Sequence, residues 1–254
     1  MARAFVSLAI GCLVFATAAR GETLGVLMMH GKGGTPAQLE DLAARVTEAG
    51  FIAERPEMCW SRKRIYDEPY LDCLTDADNA VAQLKAHGAE AIVILGMSLG
   101  GNVALGFGAR RPGLKGIIAL APASAPEQLA DRPSIAQCLA EAKSLIAAGK
   151  SEEKRTFYDV NIGREFTVTT TPAIYVTFFG KGTPGVMTMN AAHLTAPLLM
   201  VSGTQDITQR TTGEVFAQAP SNPHNSHVMV NSDHMGTPAA STEIVVAWLK
   251  NLSQ

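Results

Sequence analysis

The chain alternates short, densely apolar runs with stretches whose apolar residues recur every three or four positions. Leu24–His30 (LGVLMMH) is a continuous apolar run that leads into glycines, the pattern of a strand buried on both faces of a sheet. Runs at Ala91–Met97, Gly116–Ala121, Pro197–Ser202 and His227–Asn231 predict further strands, and Phe51–Glu57 is read as one more. Helices are predicted between them. Thr35 and Pro36 form a start signal, Leu39, Leu42, Ala43 and Val46 follow helical spacing, and Gly50 is a stop. Asp76–His87, Leu99–Arg111, Gly213–Gln218 and the amphipathic Thr237–Leu252 read as the other helices. Strands separated by helices predict an α/β fold: a doubly wound, mostly parallel sheet of about six strands, covered on both faces.

The alternation lapses between Ala123 and Ala196. Pro133–Ala148 looks helical, Thr156–Thr169 alternates like a hairpin with Asn161-Ile162-Gly163 near its turn, and Pro172–Phe179 reads as a further helix. An insertion of about 70 residues is long enough to carry structure of its own and a function. It is read as a cap, over 123–196, above the C-terminal edge of the sheet within a single catalytic domain, 20–254.

Composition refines this picture at the N-terminus. Arg3 precedes an apolar run, Ala4–Phe15, broken by Ser7, Gly11 and Cys12, and Ala16-Thr17-Ala18 has the small-x-small form of a cleavage site. A secretory leader over residues 1–19, cut near Ala18 or Ala19, is expected, and with it a periplasmic or secreted protein. The run is shorter than the roughly 20 apolar residues that span a bilayer, so no stable membrane span is expected after its removal. An uncleaved anchor and a lipoprotein through Cys12 are the alternatives. Loss of Arg3 leaves 20 basic side chains against 23 acidic ones, a balance of −3. That balance, with Arg62-Lys63-Arg64 as the densest basic run, argues against a nucleic-acid partner.

In an oxidising compartment the cysteines become informative. Cys59, Cys73 and Cys138 allow three pairings and at most one internal bridge. Cys59–Cys73 is favoured because it closes a short loop containing Trp60, Tyr66, Pro69 and Tyr70, leaving Cys138 as a small buried apolar residue. Three reduced thiols are the alternative.

The candidate chemistry lies at the strand ends. Gly96-Met97-Ser98-Leu99-Gly100 matches G-x-S-x-G where a predicted strand meets a predicted helix, and its small residues allow a sharp turn that would expose the Ser98 hydroxyl. A serine needs a general base. His234 follows the last strand, whereas His30, His87, His193, His224 and His227 occupy other positions. Asp206, just past the strand Pro197–Ser202, is placed to orient that base; Asp233 adjoins His234 and points elsewhere. The turn His30-Gly31-Lys32-Gly33-Gly34 can aim the Lys32 main-chain N–H at the site, paired with that of Leu99, as an oxyanion hole. The Lys32 side chain is expected to face solvent. No G-K-[ST] follows at phosphate-loop spacing, and no paired His or Cys has metal-ligand spacing, so no metal or cofactor is expected.

Together, the His30–Gly34 turn, the Ser98 elbow, Ser202–Asp206 and Asp233-His234 resemble the α/β-hydrolase superfamily. The resemblance covers the chain after the leader except the insertion, and implies a serine hydrolase working through an acyl-enzyme. Many members begin with an antiparallel hairpin, whereas here the first core strand follows almost directly on the leader. An exported esterase acting on a small-molecule ester is the reading it favours. A peptidase, amidase or thioesterase with the same triad, and a non-catalytic binding protein on the same scaffold, are the alternatives. Met97, Leu99, Trp60, Tyr66, Tyr175, Phe178 and Phe179 are candidate pocket walls; ordinary core packing is the alternative for each.

Overall fold

The computed structural model describes residues 21–254, so the expected leader lies outside the described residues. Six strands form one parallel sheet: β1 (Leu24–Met29), β2 (Ile52–Glu54), β3 (Ala91–Met97), β4 (Gly116–Leu120), β7 (Leu198–Gly203) and β8 (Ser226–Val230). Their order is β2-β1-β3-β4-β7-β8. From β1 the chain winds outward to β2, then returns to start β3 on the other side of β1. Such a reversal opens a crevice at the C-terminal strand ends, where ligands bind in folds of this kind.

Alternate residues explain why the strands are apolar throughout. Leu27 and Met29 of β1, with Ile94, Ile117 and Met200, face one layer of helices; Leu24, Val26 and Met28, with Val93, Leu95, Ile118 and Val201, face the other. The first layer contains α2 (Leu74–Ala86) and α3 (Leu99–Gly108). The second contains α1 (Glu40–Glu48) and α10 (Thr242–Leu252), which contributes Val245, Trp248 and Leu249. In α3 every residue is buried, so a helix of small and apolar residues fits between sheet and insertion.

Local differences from the sequence expectations have physical causes. β2 ends before Pro56, which has no N–H for a ladder. After extended Thr35 the chain makes a 3-10 turn, Pro36–Leu39, and α1 begins only at Glu40. The last helix is divided at Ser241 into α9 (Thr237–Ala240) and α10, where the Ser241 hydroxyl donates to the Pro238 carbonyl. The helix expected at Gly213–Gln218 begins earlier, as α8 (Gln209–Phe216).

Between β4 and β7 the chain forms α4 (Pro126–Leu129), α5 (Pro133–Ala147), strands β5 (Arg155–Asn161) and β6 (Arg164–Thr170), α6 (Pro172–Phe179) and α7 (Met187–Ala192). β5 and β6 pair antiparallel, and Ile162 and Gly163 at their turn both have positive φ, as a tight two-residue hairpin turn requires. Phe157, Val160 and Val168 of the hairpin join Tyr175, Phe178 and Phe179 in the same core that covers α2 and α3. The insertion therefore shares its hydrophobic core with the sheet.

Cys59 and Cys73 form a disulfide with Cα atoms 5.6 Å apart, and Cys138 is free and buried. The loop between them packs under α6: Tyr66 and Tyr70 meet the Phe178 ring edge-on at 4.7 and 5.5 Å. Closing a loop of about 15 residues contributes roughly 3 kcal/mol in the chain-entropy model. A Cys59→Ser/Cys73→Ser variant is therefore expected to lose about 2–4 kcal/mol in urea unfolding; an unchanged midpoint and slope would contradict that role.

Candidate active site

β1 and β3 end level, with Met29 opposite Gly96. The two segments that leave the sheet there, 30–34 and the turn at Ser98, are therefore neighbours. Ser98 has φ 56° and ψ −118°, a region that costs a non-glycine residue on the order of 1–3 kcal/mol unless its surroundings impose it. They do. The Ser98 N–H donates to the Leu120 carbonyl at 2.9 Å, and the Ser98 carbonyl accepts from Asn102 and Ala123 at 3.0 and 3.1 Å. A Cβ on Gly96 would strike the Gly100 carbonyl, and one on Gly100 would strike the carbonyls of Met29 and His30. Both glycines are needed for α3 to start this close to the sheet.

β7 and β8 also end level, with Gly203 opposite Val230. Asp206 and His234 come from the loops that follow. His234 Nε2 lies 2.9 Å from the Ser98 Oγ, and Nδ1 lies 2.8 Å from Asp206 Oδ2. With Nδ1–H donating to the carboxylate, Nε2 is free to accept from the serine hydroxyl. All three residues are buried. Burial raises the Asp206 pKa, but hydrogen bonds from His234 and from the Thr208 N–H (2.9 Å) outweigh it and hold the carboxyl below its ordinary value. Asp233 instead accepts from the Gly236 N–H within its own turn. The arrangement can draw a proton from Ser98 while an anion stabilises the imidazolium that forms.

The segment after β1 is fixed by the side chains of His30, Trp60 and Gln38, the last of which no motif marks. His30 is buried; its Nε2 accepts from the Met58 N–H at 3.2 Å and its Nδ1 is 2.8 Å from the Gly31 carbonyl. Burial lowers its pKa, which keeps the ring neutral. The Trp60 indole N–H donates to the His30 carbonyl at 3.0 Å, and the Gly31 N–H donates to Gln38 Oε1 at 2.7 Å. A Cβ on Gly31 would press on the Ser98 Cβ at 3.2 Å, so this glycine lets the loop lie against the serine. Among the described residues, the N–H groups of Lys32 and Leu99 have no intramolecular acceptor. The Lys32 side chain does not face solvent as expected. It is 3% exposed and turns inward to Asp159, because that carboxylate offers it a buried ion pair.

Ser98 opens into a cavity of about 380 Å³ lined by Gly31–Thr35, Gln38, Arg62, Met97, Asn161, His234 and Met235. A second cavity, of about 170 Å³, meets it at His234 and Asn161 and continues past Ser124, Gln128, Arg132, Ile207 and Thr211. Met97 is the one expected wall residue that lines either. Trp60, Tyr66, Tyr175, Phe178 and Phe179 are buried in the core between the disulfide loop and the insertion. Tyr175 stacks between Phe157 and Phe179 at 4.4 and 4.5 Å, for example. Leu99 also packs in the core and offers the site only its N–H. Asn161, just before the hairpin turn visible in the sequence, takes the place foreseen for the aromatics. Among the described residues no cluster of three His, Cys, Asp or Glu side chains is placed to hold a metal ion.

A family model described as serine aminopeptidase, S33, matches residues 23–158, more than half of the chain. The chain belongs to this family of α/β-hydrolases. No curated protein matches it in sequence. Solved structures with the same fold include the monoacylglycerol lipase of Paleococcus ferrophilus, at TM-score 0.66 and 18% identity, covering 92% of this chain and 97% of that one. Est1E from Butyrivibrio proteoclasticus with ferulic acid bound has TM-score 0.64 and 17% identity, covering 91% and 90%. The proline iminopeptidase of Mycobacterium smegmatis has TM-score 0.55 and 18% identity, covering 91% and 90%. In this S33 family member the Asp206 pKa is lower folded than unfolded. Its contribution to stability is therefore present above its ordinary 3.8 and lost as pH falls through the folded value. The gap in urea midpoint between the protein and Asp206→Asn is expected to be full at pH 6 and to close below pH 3.8. A gap that widens on acidification would contradict this sign.

Proposed function

We propose that the chain is an exported serine hydrolase that cleaves carboxylic esters, with Ser98 as nucleophile, His234 as general base and Asp206 as its orienting anion. The unbroken run of hydrogen bonds from Asp206 through His234 to Ser98 carries this reading. The Ser98 Oγ attacks the acyl carbon as its proton passes to His234 Nε2. The oxyanion so formed is held by the N–H groups of Leu99 and Lys32, at the start of α3 and beside the site. Collapse breaks the acyl–oxygen bond; the alkoxide leaves with the proton from His234, and the acyl group stays on Ser98. Water then repeats the sequence with His234 as base, releasing the acid and restoring the serine.

The cavity linings favour an ester over a peptide with a free amino terminus. A carboxylate is the strongest partner for an ammonium, yet among the described residues the cavity linings include Arg62 and Arg132 and neither Asp nor Glu. The exposed apolar side chains of Ile162, Ile207 and Met235 at the edges suit an uncharged acyl or alcohol group. The solved relatives described as a monoacylglycerol lipase and as Est1E with ferulic acid agree with an ester substrate. The apolar run Ala4–Phe15 and the Cys59–Cys73 disulfide, stable in oxidising compartments, support export.

Ser98→Ala is expected to keep the far-UV spectrum while hydrolysis of short acyl esters falls about 10⁴-fold or more. Normal turnover by that variant would sink the assignment. With an ester and an amide of the same acyl group, the ester is expected to be the faster by orders of magnitude. Equal or reversed rates would instead identify an amidase.

A further inference from the structure

Lys32 would supply an oxyanion donor through its main chain, yet its side chain runs away from the cavity into the insertion. Its Nζ lies 2.6 Å from Asp159 Oδ1 and 2.9 Å from the Val160 carbonyl, and 5.4 Å from the centre of the Phe179 ring. Asp159 is wholly buried on β5 and also accepts from the Tyr66 hydroxyl at 2.9 Å and from the Val160 N–H at 2.6 Å. Every oxygen of that carboxylate is thus partnered, and the ammonium meets an anion, a carbonyl and a ring face. Burial and the Asp159 charge push the Tyr66 hydroxyl well above its ordinary pKa, so it remains a donor. One residue beyond Val160, Asn161 lines both cavities.

A buried ion pair is a poor source of net stability, because desolvation cancels much of the attraction, but separating the partners leaves an uncompensated buried charge, so the two side chains stay together. The geometry fixed here is that of residue 32. Gly31 and Gly33 flank it, Gly33 with φ 61°, so the neighbouring backbone has little stiffness of its own. The Gly33 N–H is tied to the Trp60 carbonyl and the Gly31 N–H to Gln38, while among the described residues residue 32 itself is tied through its side chain alone. We propose that Lys32 and Asp159, supported by Tyr66, are positioning residues that hold the Lys32 N–H in line with the oxyanion and couple that donor to the β5–β6 hairpin bearing Asn161. The proposal rests on Ser98 being the acylated nucleophile.

A preorganised donor acts on the charge that develops in the transition state and little on the bound ester. Breaking the tie should therefore lower kcat and leave KM nearly unchanged. The test compares Lys32→Met/Asp159→Asn, which leaves no unpaired buried charge, with the unaltered protein. The readouts are kcat and KM on a short acyl ester and Ki for an alkyl boronic acid, which forms a tetrahedral adduct on the serine. The expected result is a ten- to hundredfold fall in kcat, a rise in boronate Ki by a similar factor, and KM within about threefold. A variant that folds and retains both kcat and boronate affinity overturns the proposal. So does one whose loss is confined to melting temperature or KM. If that variant does not fold, Tyr66→Phe decides by the same readouts, with a two- to tenfold fall in kcat matched in boronate Ki expected and unchanged values overturning it. Absence of ester hydrolysis by the unaltered protein would fail the esterase reading itself and is distinguished from these outcomes.

Discussion

The backbone at Ser98 turns from a strand into a helix within one residue, and most of the site follows from how closely the two must approach. With no Cβ at Gly96 or Gly100, the first turn of α3 can sit against the carbonyls of Met29 and His30. That contact ties β1 to β3 where the sheet order reverses, and it brings the loop after β1 beside the serine. Positive φ at Ser98 would be unfavourable in isolation; three main-chain hydrogen bonds and the packed helix impose it. The Ser98 hydroxyl is thereby held at the edge of a cavity, with the unpaired N–H groups of a helix start beneath it.

The remaining groups reach the serine from elements that end at the same level. β7 and β8 finish in register, and their loops deliver an acid and an imidazole whose hydrogen bonds leave little rotational freedom. The insertion is anchored to this scaffold at more than one place. Asn102 of α3 donates to the Gly185 carbonyl and accepts from the Tyr70 hydroxyl, and Arg110 reaches Asn190 of α7. With Lys32 and Asp159, these buried polar ties join α3, the loop after β1 and the hairpin into one packed body. A cleft walled by such a body recognises its ligand chiefly by shape and by a few fixed polar groups.

Much of this was legible in the sequence, for reasons that differ by residue. Ala91–Met97 and Pro172–Phe179 were readable to the residue because each is an apolar run with sharp ends, the first running into the Ser98 turn and the second lying between Pro172 and Gly180. Ser98, His234 and Asp206 could be picked out by their positions after strands, since chain order and strand ends determine which loops meet. The walls of the cleft were not legible. Large aromatics are placed by whichever core needs their area, and Tyr66, Tyr175, Phe178 and Phe179 fill the seam between the disulfide loop and the insertion. The inward turn of Lys32 was hidden for a related reason: its partner lies 127 positions away, and spacing says nothing about a contact that depends on how an insertion folds back.

If Ser98 is made nucleophilic by His234 and Asp206, as proposed, a fluorophosphonate should find it. Peptide mapping by mass spectrometry, run beside the His234→Ala variant, should show one phosphonyl group per chain, on Ser98, formed at least a hundredfold more slowly when His234 is removed. Labelling of another residue, or labelling of Ser98 at an unchanged rate without His234, would contradict it.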